Sequence, residues 1–167
     1  PLLPVQLLWL NLVTDGLPAV ALALDSSERG VMERKPHSVK LLDNALLKQM
    51  GFIGALVTLI SVYIIWSMRA AAAPESLILT MVFTFFVFAE LLGVHIIRSY
   101  YSHPIFTNKW LWLSIIATVI VHLVLLYTPL NALFKIVPLA LSDWLVLGGA
   151  IGIMVAVSVI AKKIKMI

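Results

Sequence analysis

The sequence of 167 residues contains no cysteine, and charged residues make up only 12% of it. The absence of cysteine excludes a disulfide framework, a thiolate metal site and a cysteine nucleophile. The sequence also lacks the Gly-x-x-x-x-Gly-Lys-Ser/Thr phosphate loop, the His-Glu-x-x-His zinc motif and the Gly-x-Ser-x-Gly nucleophile elbow. The residues of this chain therefore include no recognisable machinery for hydrolysing a nucleotide.

Apolar residues make up 62% of the sequence, a share that excludes an ordinary soluble domain. A helix needs roughly 20 apolar residues to cross a bilayer, and runs of about that length recur along the chain. They predict an all-α membrane protein, a single domain over 1–167 that folds as a bundle of five transmembrane helices. The predicted helices lie at about 4–24, 46–68, 77–97, 110–127 and 144–161.

Basic residues are distributed unevenly among the segments that join these helices. Cytoplasmic segments of membrane proteins carry an excess of Lys and Arg. If the N-terminus is outside, ten of the twelve fall on the inner side: Arg29, Arg34, Lys35, Lys40, Lys48, Arg98, Lys109, Lys162, Lys163 and Lys165. Only Arg69 and Lys135 remain outside. This bias predicts an outside N-terminus, a cytoplasmic C-terminus and a cytoplasmic loop at 25–45. The excess of basic residues on the cytoplasmic side explains the net charge of +4 better than binding to nucleic acid does. The expected partner is therefore the lipid bilayer.

A polar group lies inside the first predicted helix. Asn11, Thr14 and Asp15 stand at i, i+3 and i+4, so that their oxygens leave the same side of a helix. An acid near the bilayer midplane is costly and normally faces a water-filled or ligand-filled interior. Gly16 and Pro18 weaken the helix just beyond and free backbone carbonyls as further ligands. We therefore expect the first helix to be partly unwound near Asp15–Pro18.

Glu90 is the second acid inside a predicted span. At ~1.5 Å per residue, Asp15 and Glu90 lie about 16 and 20 Å from the outer ends of their helices, so both can line one site. Two buried carboxylates without a basic partner repel each other, and one stays protonated unless a cation lies between them. Oxygen donors suit a hard cation such as calcium, which predicts a site that exchanges metal for protons. The alternative for either acid is a neutral, hydrogen-bonded packing role.

Three further features favour packing over chemistry. Gln6 lies near the outer rim, where interfacial hydrogen bonding is expected, and His122 in the fourth span is expected to pack or to form a hydrogen bond. Small residues spaced by four, Gly148 with Gly152 and Gly51 with Ala55, predict close contact between membrane helices.

The segment Pro4–Ala19, PVQLLWLNLVTDGLPA, closely resembles the sixth transmembrane helix of P-type calcium-transporting ATPases. The likeness is greatest to the sarco/endoplasmic-reticulum type and its prokaryotic relatives. Met32–Pro36 is similar to the Met-Asp/Lys-Arg-Pro-Pro loop of that family, and Pro138–Leu145 is similar to the segment that enters its tenth helix. The resemblance covers essentially the whole chain, as helices six to ten.

The resemblance implies that Asn11, Thr14 and Asp15 are calcium ligands of the sixth helix and that Glu90 is the ligand of the eighth. It implies that helices four and five and the cytosolic domains belong to parts of the pump outside this chain. Those domains would use ATP and magnesium to phosphorylate an aspartate in an Asp-Lys-Thr-Gly motif, which is absent here. The loop 25–45 would relay that event to the membrane, and the chain alone would not be catalytic.

The expected function is therefore part of an ATP-driven calcium pump with proton counter-transport. The chain begins at Pro1, which agrees with a piece of a longer, multi-pass membrane protein. Its location would be the cell membrane in a prokaryote, or an endoplasmic-reticulum-type membrane in a eukaryote. Two alternatives remain open at this point: an independent channel or exchanger subunit that uses the same acids, and a purely structural membrane domain.

Overall fold

The computed structural model describes residues 2–24, 44–100 and 108–163, and every regular element among them is helical. In chain order the elements are α1 (Pro4–Trp9), a π-helix (Leu10–Thr14), α2 (Gly16–Ala23), α3 (Asn44–Ala70), α4 (Glu75–Tyr100), α5 (Lys109–Tyr127), α6 (Asn131–Phe134) and α7 (Leu141–Lys163). Most of the predicted loop 25–45, including the Met32–Pro36 motif, lies outside the described residues.

Five helical stretches in the described part of the chain are long and apolar enough to cross a membrane. They are Pro4–Ala23, Leu46–Ala70, Glu75–Arg98, Lys109–Tyr127 and Leu141–Lys163. The first of them consists of α1, the π-helix and α2 in succession. The predicted all-α bundle of five membrane-spanning helices is thus confirmed.

Helix α4 lies at the centre of this bundle. It packs against α3, α7 and the π-helix, whereas α2 packs against α5. Its side chains Met81, Phe83 and Phe85 are at most 1% exposed and form the middle of the apolar core. Because α4 touches the π-helix directly, the acid in its middle, Glu90, faces the interrupted first span.

Asn108 connects the start of α5 to the end of α2. Its side-chain oxygen accepts a hydrogen bond from the Leu111 N–H at 2.9 Å, which satisfies one of the unpaired donors of the first helical turn. Its side-chain nitrogen donates to the Ala21 carbonyl at 3.0 Å. One buried amide therefore caps α5 and holds α2 beside it.

Residues 128–140, which join α5 to α7 and contain α6, fold back onto the bundle. The Tyr127 hydroxyl donates to the Leu139 carbonyl at 2.9 Å. The Val137 N–H donates to the Thr80 hydroxyl oxygen on α4, also at 2.9 Å. Side chains from two different spans therefore fix the position of this segment.

The glycine motifs do not lie between packed helices in the described part of the chain. Gly51, Gly148 and Gly152 are exposed, and a Cβ added at any of them would meet no other part of the bundle within 4 Å. The predicted close helix contact at these positions is wrong here, because the glycine faces of α3 and α7 lie on the bundle surface.

Candidate cation site

The first span changes helix type inside the predicted polar motif. The Asp15 N–H donates to the Leu10 carbonyl five residues back, at 3.0 Å, which is the bond of a π-helix. Helix α2 then starts at Gly16 and includes Pro18 in its first turn, where the missing N–H of proline is tolerated. The sequence predicts the irregularity near Asp15–Pro18, whereas the π-helix begins at Leu10. The irregular region therefore lies before the proline and not at it, because Pro18 fits into the first turn of a new helix, α2.

Thr14 and Glu90 meet across the interface between the π-helix and α4. Thr14 is 2% exposed, and its hydroxyl oxygen lies 2.5 Å from the Glu90 Oε2 atom. Glu90 itself is half-buried. These residues are 76 positions apart in sequence, and both belong to the predicted set of ligands. The fold thus brings a hydroxyl and a carboxylate together in the interior of a membrane-spanning bundle.

The hydroxyl of Thr14 has one hydrogen but two close oxygen neighbours. Besides Glu90, its oxygen lies 2.5 Å from the Leu10 carbonyl, which is only an acceptor. Both contacts are satisfied at once when the Glu90 carboxyl carries a proton and donates it to Thr14, while Thr14 donates to Leu10. The geometry therefore suits a protonated Glu90 when no cation is bound.

Asn11 and Asp15 lie on an exposed flank of the same span. Asn11 is exposed, and its side-chain nitrogen donates to the Leu7 carbonyl at 2.9 Å. Asp15 is exposed, yet its carboxylate lies near enough to Glu90 for an electrostatic interaction. Asn11 and Asp15 differ from Thr14 in burial because the turn per residue in a π-helix is smaller than in the regular α-helix that the i, i+3 and i+4 pattern assumes.

The predicted set of donors consists of oxygen atoms only: two carboxylates, one hydroxyl and one amide carbonyl. Oxygen donors suit hard cations such as calcium, which takes about six to eight of them in proteins. In residues 2–24, 44–100 and 108–163, no three side chains of the His, Cys, Asp and Glu types form a group that could hold a metal ion. The described residues therefore do not form such a group by themselves.

Sequence reasoning underestimates Gln6. This side chain is completely buried, and its nitrogen donates to the Phe134 carbonyl at 2.9 Å instead of forming a hydrogen bond at the membrane interface. Its spacing of four residues from Leu10, and eight from Thr14, was the available signal. The prediction for His122 is confirmed, since its ring is fully buried and lies 3.2 Å from the Thr84 hydroxyl oxygen.

The family model described as "Cation transporting ATPase, C-terminus" matches residues 1–164. Among curated proteins, the chain is 33% identical over 162 residues to a calcium-transporting ATPase of Bacillus subtilis (strain 168), covering 89% of this chain and 18% of that protein. It is 32% identical over 178 residues to calcium-transporting ATPase 3, endoplasmic reticulum-type, of Arabidopsis thaliana, covering 86% and 18%. It is 30% identical over 159 residues to calcium-transporting ATPase type 2C member 2 of Rattus norvegicus, covering 89% and 17%.

The chain thus spans slightly less than a fifth of the length of these relatives. The family match runs through all five membrane-spanning helices, including both Thr14 and Glu90. Length, helical architecture and sequence similarity agree, and the chain belongs to the family of cation-transporting ATPase C-terminal membrane domains.

Proposed function

We propose that this chain is part of an ATP-driven calcium pump and supplies Asn11, Thr14, Asp15 and Glu90 to its intramembrane cation site. The observation that carries the proposal is the contact between the buried Thr14 hydroxyl and Glu90, with Asp15 in electrostatic range. The three relatives described above bear the name calcium-transporting ATPase, which supports calcium as the transported ion.

The proposed chemistry is an exchange of calcium for protons. Two carboxylates in a bilayer interior repel each other when both are ionised, and a divalent cation between them removes that repulsion. In the absence of calcium, a proton on Glu90 lets Thr14 satisfy both of its close oxygen contacts. Calcium binding would displace this proton, so that the return step carries protons in the opposite direction.

The remaining ligands would come from membrane helices of the same pump that precede this chain. Asn11 and Asp15 lie on an exposed flank, which leaves their oxygens accessible to another helix. Gly16 and Pro18 support the site by ending the π-helix and starting α2. ATP and magnesium would act in cytosolic domains of the intact protein, and the family match favours this arrangement over an independent channel or exchanger subunit.

We further propose that the N-terminus of the chain faces outside and that its C-terminus is cytoplasmic. Ten of the twelve Lys and Arg residues then lie on the cytoplasmic side, as the positive-inside rule requires. The turn between α3 and α4, with its exposed ion pair of Arg69 and Glu75 at 2.8 Å, would face outside. The lipid bilayer surrounds the bundle, and the large apolar side chains exposed on α5 and α7 agree with that.

The test is Asp15→Asn in the full-length protein. We expect calcium-activated phosphorylation by ATP to be abolished, because the amide removes a negative charge from the site while conserving its shape. Phosphorylation by inorganic phosphate, which needs no bound calcium, should persist. Asp143→Asn is the matched control, since Asp143 lies at the start of α7 and its carboxylate accepts a hydrogen bond from the Ala140 N–H. It should keep calcium activation, and calcium activation retained by Asp15→Asn would remove Asp15 from the site.

A further inference from the structure

Gln6 is an amide buried inside a membrane-spanning helix, with both of its polar ends bonded. It is 0% exposed. Its oxygen accepts a hydrogen bond from the Leu3 N–H at 3.0 Å, and its nitrogen donates to the Phe134 carbonyl at 2.9 Å. A buried side chain with both ends satisfied has a fixed orientation, because any rotation would leave a donor or an acceptor unpaired.

The partner of Gln6 belongs to a segment that is itself held in place. Phe134 lies in α6, and its ring contacts Trp9 on α1 edge-on, with the ring centroids 5.3 Å apart. Its ring also stacks on Phe83 of α4 at 6.4 Å. The nearby bond from Val137 to Thr80 attaches the same segment to α4. Gln6 therefore connects the start of the first span to a fixed point on the central helix.

The buried edge of the first span leads from Gln6 to the candidate cation site. Gln6, Leu10 and Thr14 are spaced four residues apart and are at most 5% exposed, whereas Leu8 and Leu12 between them are 62% and 68% exposed. These three residues form one line along the helix. A rotation of the helix at Gln6 would therefore turn Thr14 away from Glu90.

We propose that Gln6 is a positioning residue of the cation site: its two hydrogen bonds set the rotation of the first span and so hold Thr14 against Glu90. Gln6 does not touch the ion in this proposal, since it lies eight residues, or ~12 Å along the helix, from Thr14. The inference rests on the proposed function, because it assigns Gln6 a role in calcium affinity. It extends that function to a residue that is not a ligand.

The experiment replaces Gln6 in the full-length protein by methionine, which has a similar length but forms neither hydrogen bond. We expect the calcium concentration for half-maximal phosphorylation by ATP to rise roughly threefold to tenfold, about the worth of one buried hydrogen bond, because only part of the loss of the two bonds is transmitted to Thr14. The maximal level of phosphorylation by inorganic phosphate should stay unchanged. A residue that only stabilised the fold would lower that maximal level and leave the calcium dependence of the remaining active protein as it was.

Ser61→Ala is the matched control, because it removes a buried side-chain hydrogen bond to the Val57 carbonyl on α3 without touching the first span or the segment that contains Phe134. Its calcium dependence should stay within about twofold of wild type. Wild-type calcium affinity in Gln6→Met, or loss of phosphorylation by inorganic phosphate in that variant, would overturn the positioning role. Asp15→Asn separates the proposed cation site from the positioning role of Gln6. If Asp15→Asn loses calcium activation while Gln6→Met keeps wild-type affinity, the cation site stands and only the positioning role fails.

Discussion

Glu90 is half-buried in α4, a helix apolar enough to cross a membrane, yet it meets a hydroxyl group there. A carboxylic acid at membrane depth is unfavourable unless it is neutral, hydrogen-bonded or next to a cation. Thr14 provides the hydrogen bond, and Asp15 adds a second negative charge nearby. The pair thus consists of oxygen groups of the kind that the proposed cation site requires.

For Glu90 itself, we predict that Glu90→Gln raises the calcium concentration for half-maximal phosphorylation roughly tenfold, which corresponds to a loss of ~1.4 kcal/mol of binding free energy. The amide conserves the shape and a possible contact with Thr14 but removes one charge, so the effect should be smaller than that of Asp15→Asn. The measurement is phosphorylation of the full-length protein by ATP as calcium is titrated.

Glu75→Gln is the control for this prediction. Glu75 begins the same helix but is exposed and forms an ion pair with Arg69. Its substitution should leave the calcium dependence unchanged, since exposed pairs contribute little. Calcium affinity equal to wild type in Glu90→Gln would show that Glu90 only packs against the first span.

The sequence identified the acids because carboxylates inside apolar spans are rare and costly. It did not predict that Thr14 is buried while Asn11 and Asp15 are exposed, because the i, i+3 and i+4 rule assumes a regular α-helix. It also did not predict the bond of Gln6, since its partner is a backbone carbonyl 128 residues away.

Among the helices, α4 determines how the site is held. It contacts α3, α7 and the π-helix, and its Phe83 ring packs edge-on against His122 of α5, with the ring centroids 5.3 Å apart. The sequence predicted five spans from apolar length alone, and the structure agrees. It did not predict which helix is central, because four of the five spans have nearly equal mean hydropathy, from 2.0 to 2.3. Periodicity within a uniformly apolar run carries little information on which face is buried.

For the central helix we predict that Phe83→Ala destabilises the folded protein by ~3–5 kcal/mol, because Phe83 is fully buried and its removal leaves a cavity. The expected result is a lower midpoint of thermal inactivation of the purified full-length protein. Leu113→Ala on α5 is the control, since Leu113 is 57% exposed on the bundle surface. The control should change stability by at most about 0.5 kcal/mol. Equal losses in the two variants would contradict a central position for α4.

The irregular region of the first span could be predicted from the sequence only in part. Gly16 and Pro18 correctly indicate an irregular helix, because glycine and proline both weaken one. Their position does not show on which side the helix yields. The π-helix forms over Leu10–Thr14, before the proline, and the chain after it is α-helical again.

At the scale of the whole molecule, the chain is a membrane domain whose proposed ligands differ in exposure. Asn11 and Asp15 lie on an exposed flank, while Thr14 faces the interior of the bundle. The chain also spans less than a fifth of its relatives' length. We therefore propose that the cation site would lie at the border between this domain and preceding parts of the full-length protein, where a movement of either side would change the coordination of the ion.

The most direct test of the cation site is a double-mutant cycle on calcium binding to the purified full-length protein. It compares Thr14→Val, Glu90→Gln and the double variant with wild type. If the two side chains share one site, each single variant binds calcium more weakly, and the double variant is weaker than the worse single variant by less than about threefold, because interacting residues are not additive. Wild-type affinity in Thr14→Val, or losses that multiply as for independent positions, would contradict a cation site built on the contact between Thr14 and Glu90.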